Sequence, residues 1–361
     1  MSSKIGRREF IGTAALSALA LPVMLKGMEK SSQAADAKKS GVRVIAIEEH
    51  VGTPQLTAAL KAAGINAREF PPALAAKLND LGAKRLADMD AAGIDMQVLS
   101  VAGDGLEKLD RNTGIAVARD INDMLANAVK SHPDRFAAFA VLPLQAPDAA
   151  AAELERCVTK LGFKGALISG TINGRFLDNP VFQPVFAAAE QLDVPIYLHP
   201  APPPPAVYEA YFGDLPAPLA ESLSTSAWGW HVEVGMHSLR MVVSGLFDRF
   251  PKLQIIIGHM GENLPFSLVR ADGRLTPLTP RLKQRVADYF RTNFYITTSA
   301  YFTAPPLLCA LEVFGADRML FAVDYPFSSN AEGRKLLDIA PISANDLAKI
   351  THKNSERLLK L

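Results

Sequence analysis

Four short stretches place metal-binding and proton-carrying side chains directly after apolar runs: "IAIEEH" (45–50), "YLHP" (197–200), "IIGHMGE" (256–262) and "FAVDYPF" (321–327). The chain has only 7 histidines, and His50, His199 and His259 all fall in these stretches. Side chains alternate across a strand, so Glu48 and His50 point together while Glu49 points away. A mixed set of carboxylate and imidazole suits a divalent ion, zinc or manganese before others. Glu48, His50, His199 and Asp324 are therefore the expected metal ligands, with a coordination position left open for catalysis. His259 and Glu262 lie three residues apart with no second histidine, which is not the helical metalloprotease spacing. They read as a coupled acid–base pair, in which the carboxylate orients the imidazole and raises its basicity.

Elements that could carry these residues recur along the chain. Eight β-rich apolar runs, at 42–47, 96–101, 136–142, 164–169, 194–198, 253–257, 293–298 and 318–323, alternate with segments of helical periodicity. Continuous apolar strands alternating with helices imply a parallel sheet covered by helices. Eight such units predict an α/β fold of the (β/α)8 TIM-barrel type, with catalytic residues at the C-terminal strand ends. A doubly wound open sheet would need a glycine-rich phosphate loop after the first strand, and "IEEHVGTP" is not one. Insertions at 51–80 and at the proline-rich 200–225 follow strands one and five and are expected to wall the pocket. In the second, the prolines should stiffen the chain and prevent regular pairing.

The chain carries 38 Lys+Arg against 37 Asp+Glu, a net charge of +1, which lacks the basic surplus of a nucleic-acid binder. Residues 1–40 read as a leader and spacer. Arg7-Arg8 precedes an uncharged run from Ile11 to Leu25, and small residues follow. That pattern predicts export by the twin-arginine route to the periplasm, with no stable membrane span after cleavage. Residues 41–361 then form one catalytic domain. Cys157 and Cys309 are expected to be buried free thiols. His231 and His237 lie in "WGWHVEVGMHSL", where packing is the expected role, although His231 could face the pocket.

These residues carry a resemblance. Over roughly 42–361 the chain resembles the metal-dependent amidohydrolase superfamily, in the branch of γ-resorcylate, 2,3-dihydroxybenzoate and aminocarboxymuconate-semialdehyde decarboxylases. The stretches that carry it are "IEEH", "HPDRFAAFAVLPLQ", "LDVPIYLHP", "SAWGWHVEVGMHSLRMVVSGLFDRFPKLQIIIGHMGENLPF" and "GADRMLFAVDYPF". The resemblance implies that Glu48, His50, His199 and Asp324 bind the metal and that His259 and Glu262 are catalytic. It also implies that Arg270 meets a substrate carboxylate, that Phe327 packs on an aromatic ring, and that the chain forms dimers or tetramers. The implied reaction is non-oxidative decarboxylation of an ortho-hydroxy aromatic acid, Asp324 protonating the ring carbon and His259 taking the hydroxyl proton. Hydrolysis of a lactone or amide at the same ligands is the alternative. Many relatives begin with His-x-His where this chain has Glu-x-His.

Overall fold

The computed structural model describes residues 41–67, 69–101 and 105–361, so the expected leader at 1–40 lies outside the described residues. Eight parallel strands appear where the apolar runs predict them: β1 Ile45–Val51, β2 Met96–Val101, β3 Phe136–Ala138, β4 Ala166–Ser169, β5 Ile196–His199, β6 Ile255–Ile257, β7 Phe294–Thr297 and β8 Met319–Leu320. Two ladders, β1-β2-β3 and β4 through β8, hold them in chain order. Single parallel bridges, Ala140 to Ala166 and Glu49 to Tyr325, join the ladders at both seams and close the barrel. At the second seam His50 N donates to Tyr325 O (2.6 Å) and Asp324 N to Glu48 O (3.0 Å).

The barrel interior is a separate apolar cluster that includes Ile45, Ile47, Val98, Phe139, Leu167, Tyr197, Ile256, Tyr295, Leu320 and Ala322. Leu359, from the C-terminal helix, belongs to the same cluster. Lys164 and Asp193, just ahead of β4 and β5, bond to the neighbouring Lys360, so this helix plugs the N-terminal end of the barrel. The opposite strand faces pack against the helices through Ala46, Ile168, Ile196, Leu198, Ile255, Ile257, Phe294 and Ile296. The helix Arg111–Ser131 illustrates the local logic. Asp110 caps it by accepting from Asn112 N and Thr113 N, and Val117, Ala118, Ile121 and Leu125 form its buried stripe.

One irregularity in β1 places the chemistry. Ile45 pairs with Met96 and Ala46 with Gln97, and pairing then resumes with Glu49 opposite Leu99 and His50 opposite Ser100. Ile47 and Glu48 together therefore oppose Val98 alone, which is a β-bulge. The extra residue reverses the alternation, so Ile47 and Glu48 both face inward, His50 follows Glu48, and Glu49 faces the helices. Strict alternation from the apolar residues would have sent Glu48 outward.

The two insertions take a more regular form than the sequence suggests. Residues 51–80 hold helices Pro54–Ala62 and Pro72–Leu78. The proline-rich segment, expected to be stiff and unpaired, contributes no strand and forms helices Pro205–Phe212 and Ala217–Ser224. Each of the four has proline within its first two positions, where the missing N–H is not needed. Cys157 is buried and Cys309 half-buried, and both are free thiols. Among the described residues no helix is long and apolar enough to cross a membrane.

Because Leu359 closes the barrel far from the strand C-termini, Leu359→Ala is expected to cost about 2–5 kcal/mol of stability through the cavity it leaves. Denaturant unfolding measures the loss, and the metal content of the folded variant should equal that of the parent.

Candidate metal centre

Glu48 is fully buried at the C-terminal end of the barrel interior. Its Oε2 accepts from the hydroxyls of Tyr197, Ser299 and Thr297, the last at 3.2 Å. Its Oε1 has no hydrogen-bond partner. Burial pushes the Glu48 carboxyl above the usual carboxylate range, with the charge of His259 pulling the other way. The unpaired Oε1 lies 3.5 Å from His199 Nε2 and 3.9 Å from His259 Nε2.

The neighbouring imidazoles are each held by one nitrogen, which leaves the other directed at this point. His50 Nδ1 is bonded to Ser100 Oγ at 3.1 Å. His50 Nε2 lies 3.2 Å from Asp324 Oδ1, out of hydrogen-bonding geometry. His199 donates Nδ1–H to the Pro200 carbonyl at 2.8 Å, so Nε2 carries the lone pair. Burial beside His50 and His259 pushes His199 down to about 3, which keeps it a neutral donor. Burial would raise the Asp324 carboxyl, but the imidazoles of His259 and His50 hold it below the usual carboxylate range. Glu48, His50, His199 and Asp324 each offer an atom to one cluster whose members all lie within 4.8 Å of one another. Two buried atoms without partners, a neutral imidazole and two carboxylates form a donor set that fits a divalent cation.

His259 and Glu262 sit on an unusual turn. His259 through Asn263 all have positive φ, between 47° and 85°, and Asp324 has φ 71°. For non-glycine residues the left-handed conformation costs about 1–2 kcal/mol each, so the surroundings must hold it. His259 N donates to Ser299 Oγ (2.9 Å), and helix Gly229–Val243 packs on the turn. Within it His259 Nδ1 lies 2.7 Å from Glu262 Oε1, and His259 Nε2 lies 3.8 Å from Asp324 Oδ2. Burial would lower the His259 imidazole, yet Glu262 and Glu48 hold it well above its ordinary value. Glu262 is lowered, its burial overcome by His259 and His231.

Above the cluster, the Phe327 ring is 5.6 Å from His50 and 5.7 Å from Phe70 of the first insertion, and Trp230 is 6.3 Å from His199. Phe327 thus lies beside the cluster, where the resemblance has it meet an aromatic ring. Arg270 lies on the exposed face of helix Leu264–Leu275 with Phe266 and Val269, which are 87% and 82% exposed. That helix runs from the strand end back down the outside of the barrel, and six residues of rise carry Arg270 roughly 9 Å from the helix start. It has no hydrogen bond or ion pair among the described residues. His231, expected to serve packing, instead joins the site with Nδ1 2.6 Å from Glu262 Oε2. The Glu48 hydroxyls were also missed, although parity marks them: Tyr197 is two residues before His199, and Thr297 and Ser299 follow the same rule on β7.

The amidohydrolase family profile matches residues 67–361. A γ-resorcylate decarboxylase from Rhizobium is 40% identical, with the alignment covering 88% of this chain and 98% of that protein. A solved 2,6-dihydroxybenzoate decarboxylase in complex with 2,6-dihydroxybenzoate superposes with a TM-score of 0.80 at 40% identity, over 89% of this chain and 100% of that one. A dihydroxybenzoic acid decarboxylase from Polaromonas, solved with manganese and 2-nitroresorcinol, has a TM-score of 0.80 at 38% identity, over 89% and 97% of the two chains. The family match over most of the sequence, with relatives aligned nearly end to end, means that this chain belongs to the amidohydrolase family and is similar throughout its barrel to the γ-resorcylate decarboxylases.

Proposed function

We propose that this protein is a metal-dependent, non-oxidative decarboxylase of an ortho-hydroxy aromatic acid of the 2,6-dihydroxybenzoate type. The observation that carries the reading is Asp324, set between His50 and His259 in a four-residue ligand cluster, in a chain 40% identical to a relative solved with that acid. Glu48, His50, His199 and Asp324 would hold the ion, and manganese is favoured over zinc because the Polaromonas relative holds it. When bound, the metal supplies Lewis acidity and a template for the oxygens of the substrate.

Protein side chains carry the protons. His259 Nε2 lies 3.8 Å from Asp324 Oδ2, and the scheme requires a proton on Asp324 and a neutral His259 when the substrate is in place. His259 Nε2 takes the proton of the ring hydroxyl while Asp324 gives its own to the ring carbon bearing the carboxylate. That carbon becomes tetrahedral and the hydroxyl oxygen becomes a carbonyl. The bond to the carboxylate then breaks, CO2 leaves, and the electron pair returns through the ring to the oxygen, which recovers its proton from His259. The proton from Asp324 stays on the product carbon, so each turnover takes up one proton from solvent. Phe327 and Phe70 would cover the ring. Phe266 and Val269 offer an exposed apolar face for self-association into a dimer or tetramer. Arg270 lies on an exposed helix face, and the carboxylate contact that the resemblance implies for it enters no proton-transfer step of this scheme.

The deciding experiment follows CO2 from 2,6-dihydroxybenzoate and salicylate-type acids with manganese-loaded enzyme. CO2 release supports the reading. Turnover of a lactone panel without CO2 from any acid would replace it with the hydrolase. Asp324→Asn is expected to lower kcat by roughly 10²–10⁴-fold, the range of a positioned general acid. Metal affinity has its own test at Gly258, where an added Cβ would meet Glu48 Oε2 at 3.0 Å and Oε1 at 3.2 Å. Gly258→Ala should leave the fold intact and weaken metal retention on dialysis, by about ten- to a hundredfold in affinity. The Arg7-Arg8 leader supports export, and cell fractionation should find the mature chain in the periplasm.

A further inference from the structure

His231 stands one helical turn before Gly235 on the helix Gly229–Val243, and both meet the left-handed turn that carries His259 and Glu262. Gly235 permits the approach, since a Cβ there would come 3.0 Å from the Glu262 carbonyl oxygen. His231 fixes the side chain of the same residue. Its Nδ1 lies 2.6 Å from Glu262 Oε2, and its Nε2 donates to the Ser226 carbonyl at 3.1 Å. Its ring packs edge-on against His259, with centroids 5.2 Å apart, and against Tyr301 at 5.5 Å. The ring is 3% exposed and anchored at both nitrogens.

We infer that His231 is a positioning residue for the base: it clamps Glu262 through Oε2, so that Oε1 stays on His259 Nδ1 and His259 Nε2 stays aimed between Glu48 and Asp324. The inference rests on the decarboxylase reading for its kinetic consequence alone. A carboxylate has two oxygens and can rotate between partners. With Oε2 tethered from a second element, Glu262 presents Oε1 in one direction, and the imidazole it orients cannot swing away from the ligand cluster. The ionisable groups facing Glu262 are His231 from the helix, His259 on its own turn, Tyr301 after β7 and Tyr197 on β5. His231, His259 and Glu262 also form a group that could hold an ion. Contacts of 2.6 and 2.7 Å are the lengths of charge-assisted hydrogen bonds, so protons occupy those positions.

His231→Ala and His231→Asn test this, the asparagine amide nitrogen falling where Nδ1 stood. In the alanine variant kcat should fall about ten- to a hundredfold with KM little changed, as for loss of a partner that orients a reacting group. The asparagine variant should recover most of kcat. Proton NMR of zinc-loaded protein supplies a readout that needs no substrate. The parent should give two strongly downfield imidazole N–H signals, and His231→Asn should remove one and shift the other. An unmoved second signal, an alanine variant with unchanged kcat, or an asparagine variant no better than alanine would overturn the inference. So would two metal equivalents per chain. If the parent releases no CO2 while the NMR signals behave as expected, the decarboxylase reading fails and the clamp stands.

Discussion

A carboxylate removed from water loses solvation worth several kcal/mol, and only good pairing restores it. Glu48 is in that position, and much of the barrel top follows from it. Three hydroxyls satisfy Oε2 and nothing satisfies Oε1. Tyr197 marks the boundary, its ring belonging to the apolar interior and its hydroxyl to Glu48. Below that level the interior is an apolar cluster, and at the level of Glu48 the inward side chains are the polar Thr297, Ser299, His50 and His199. His199, kept neutral, and His50, tied down at Nδ1, both turn lone-pair-capable nitrogens toward the region that Oε1 faces. The arrangement leaves a cluster of carboxylate oxygens and imidazole nitrogens whose natural complement is a small cation.

Backbone strain gathers around the same point. The run from His259 to Asn263 and the isolated Asp324 are left-handed, and the side chains of His259 and Asp324 meet beside Glu48. Strain of this kind persists only where the surroundings impose it. Here Ser299 holds His259 N, and the Glu48 carbonyl holds Asp324 N. Ser299 therefore serves both ends, since its own hydroxyl donates to Glu48. The conformations that are costly for the fold are the ones that aim Nε2 of His259 and Oδ2 of Asp324 at a shared volume.

Much of this was legible in the residues. Apolar runs of five to seven residues found all eight strands, and the rule that function sits at strand C-termini picked out Glu48, His50, His199, His259 and Asp324. What escaped had physical causes. Proline at a helix start and proline in a stiff extended segment look alike in composition, so the unpaired segment predicted at 200–225 did not reveal helices Pro205–Phe212 and Ala217–Ser224. His231 sits on a helix from outside the strand-end pattern, and its partner Glu262 is 31 residues away, a pairing that only packing of the two elements creates. Arg270 was assigned by resemblance, with no periodicity to say that its helix face points to solvent.

Glu48 and Glu49 show why residue type alone could not assign the roles. Both are fully buried carboxylates and neighbours in sequence. Glu49 faces the helices, where it accepts from Val323 N (2.9 Å), Tyr325 N (3.3 Å) and Gln97 (3.3 Å) and seals the seam between β1 and β8. Burial lifts its carboxyl well above the usual range, so it suits a site that asks only for hydrogen bonds. Glu48 faces inward with one oxygen unpaired. The difference between a structural and a chemical carboxylate is set by the extra residue opposite Val98. Without that bulge the alternation would exchange them, sending Glu49 into the cavity and Glu48 into the seam. His50 would leave with Glu48, so the position of a single backbone irregularity determines whether the barrel has a ligand pair on its first strand at all.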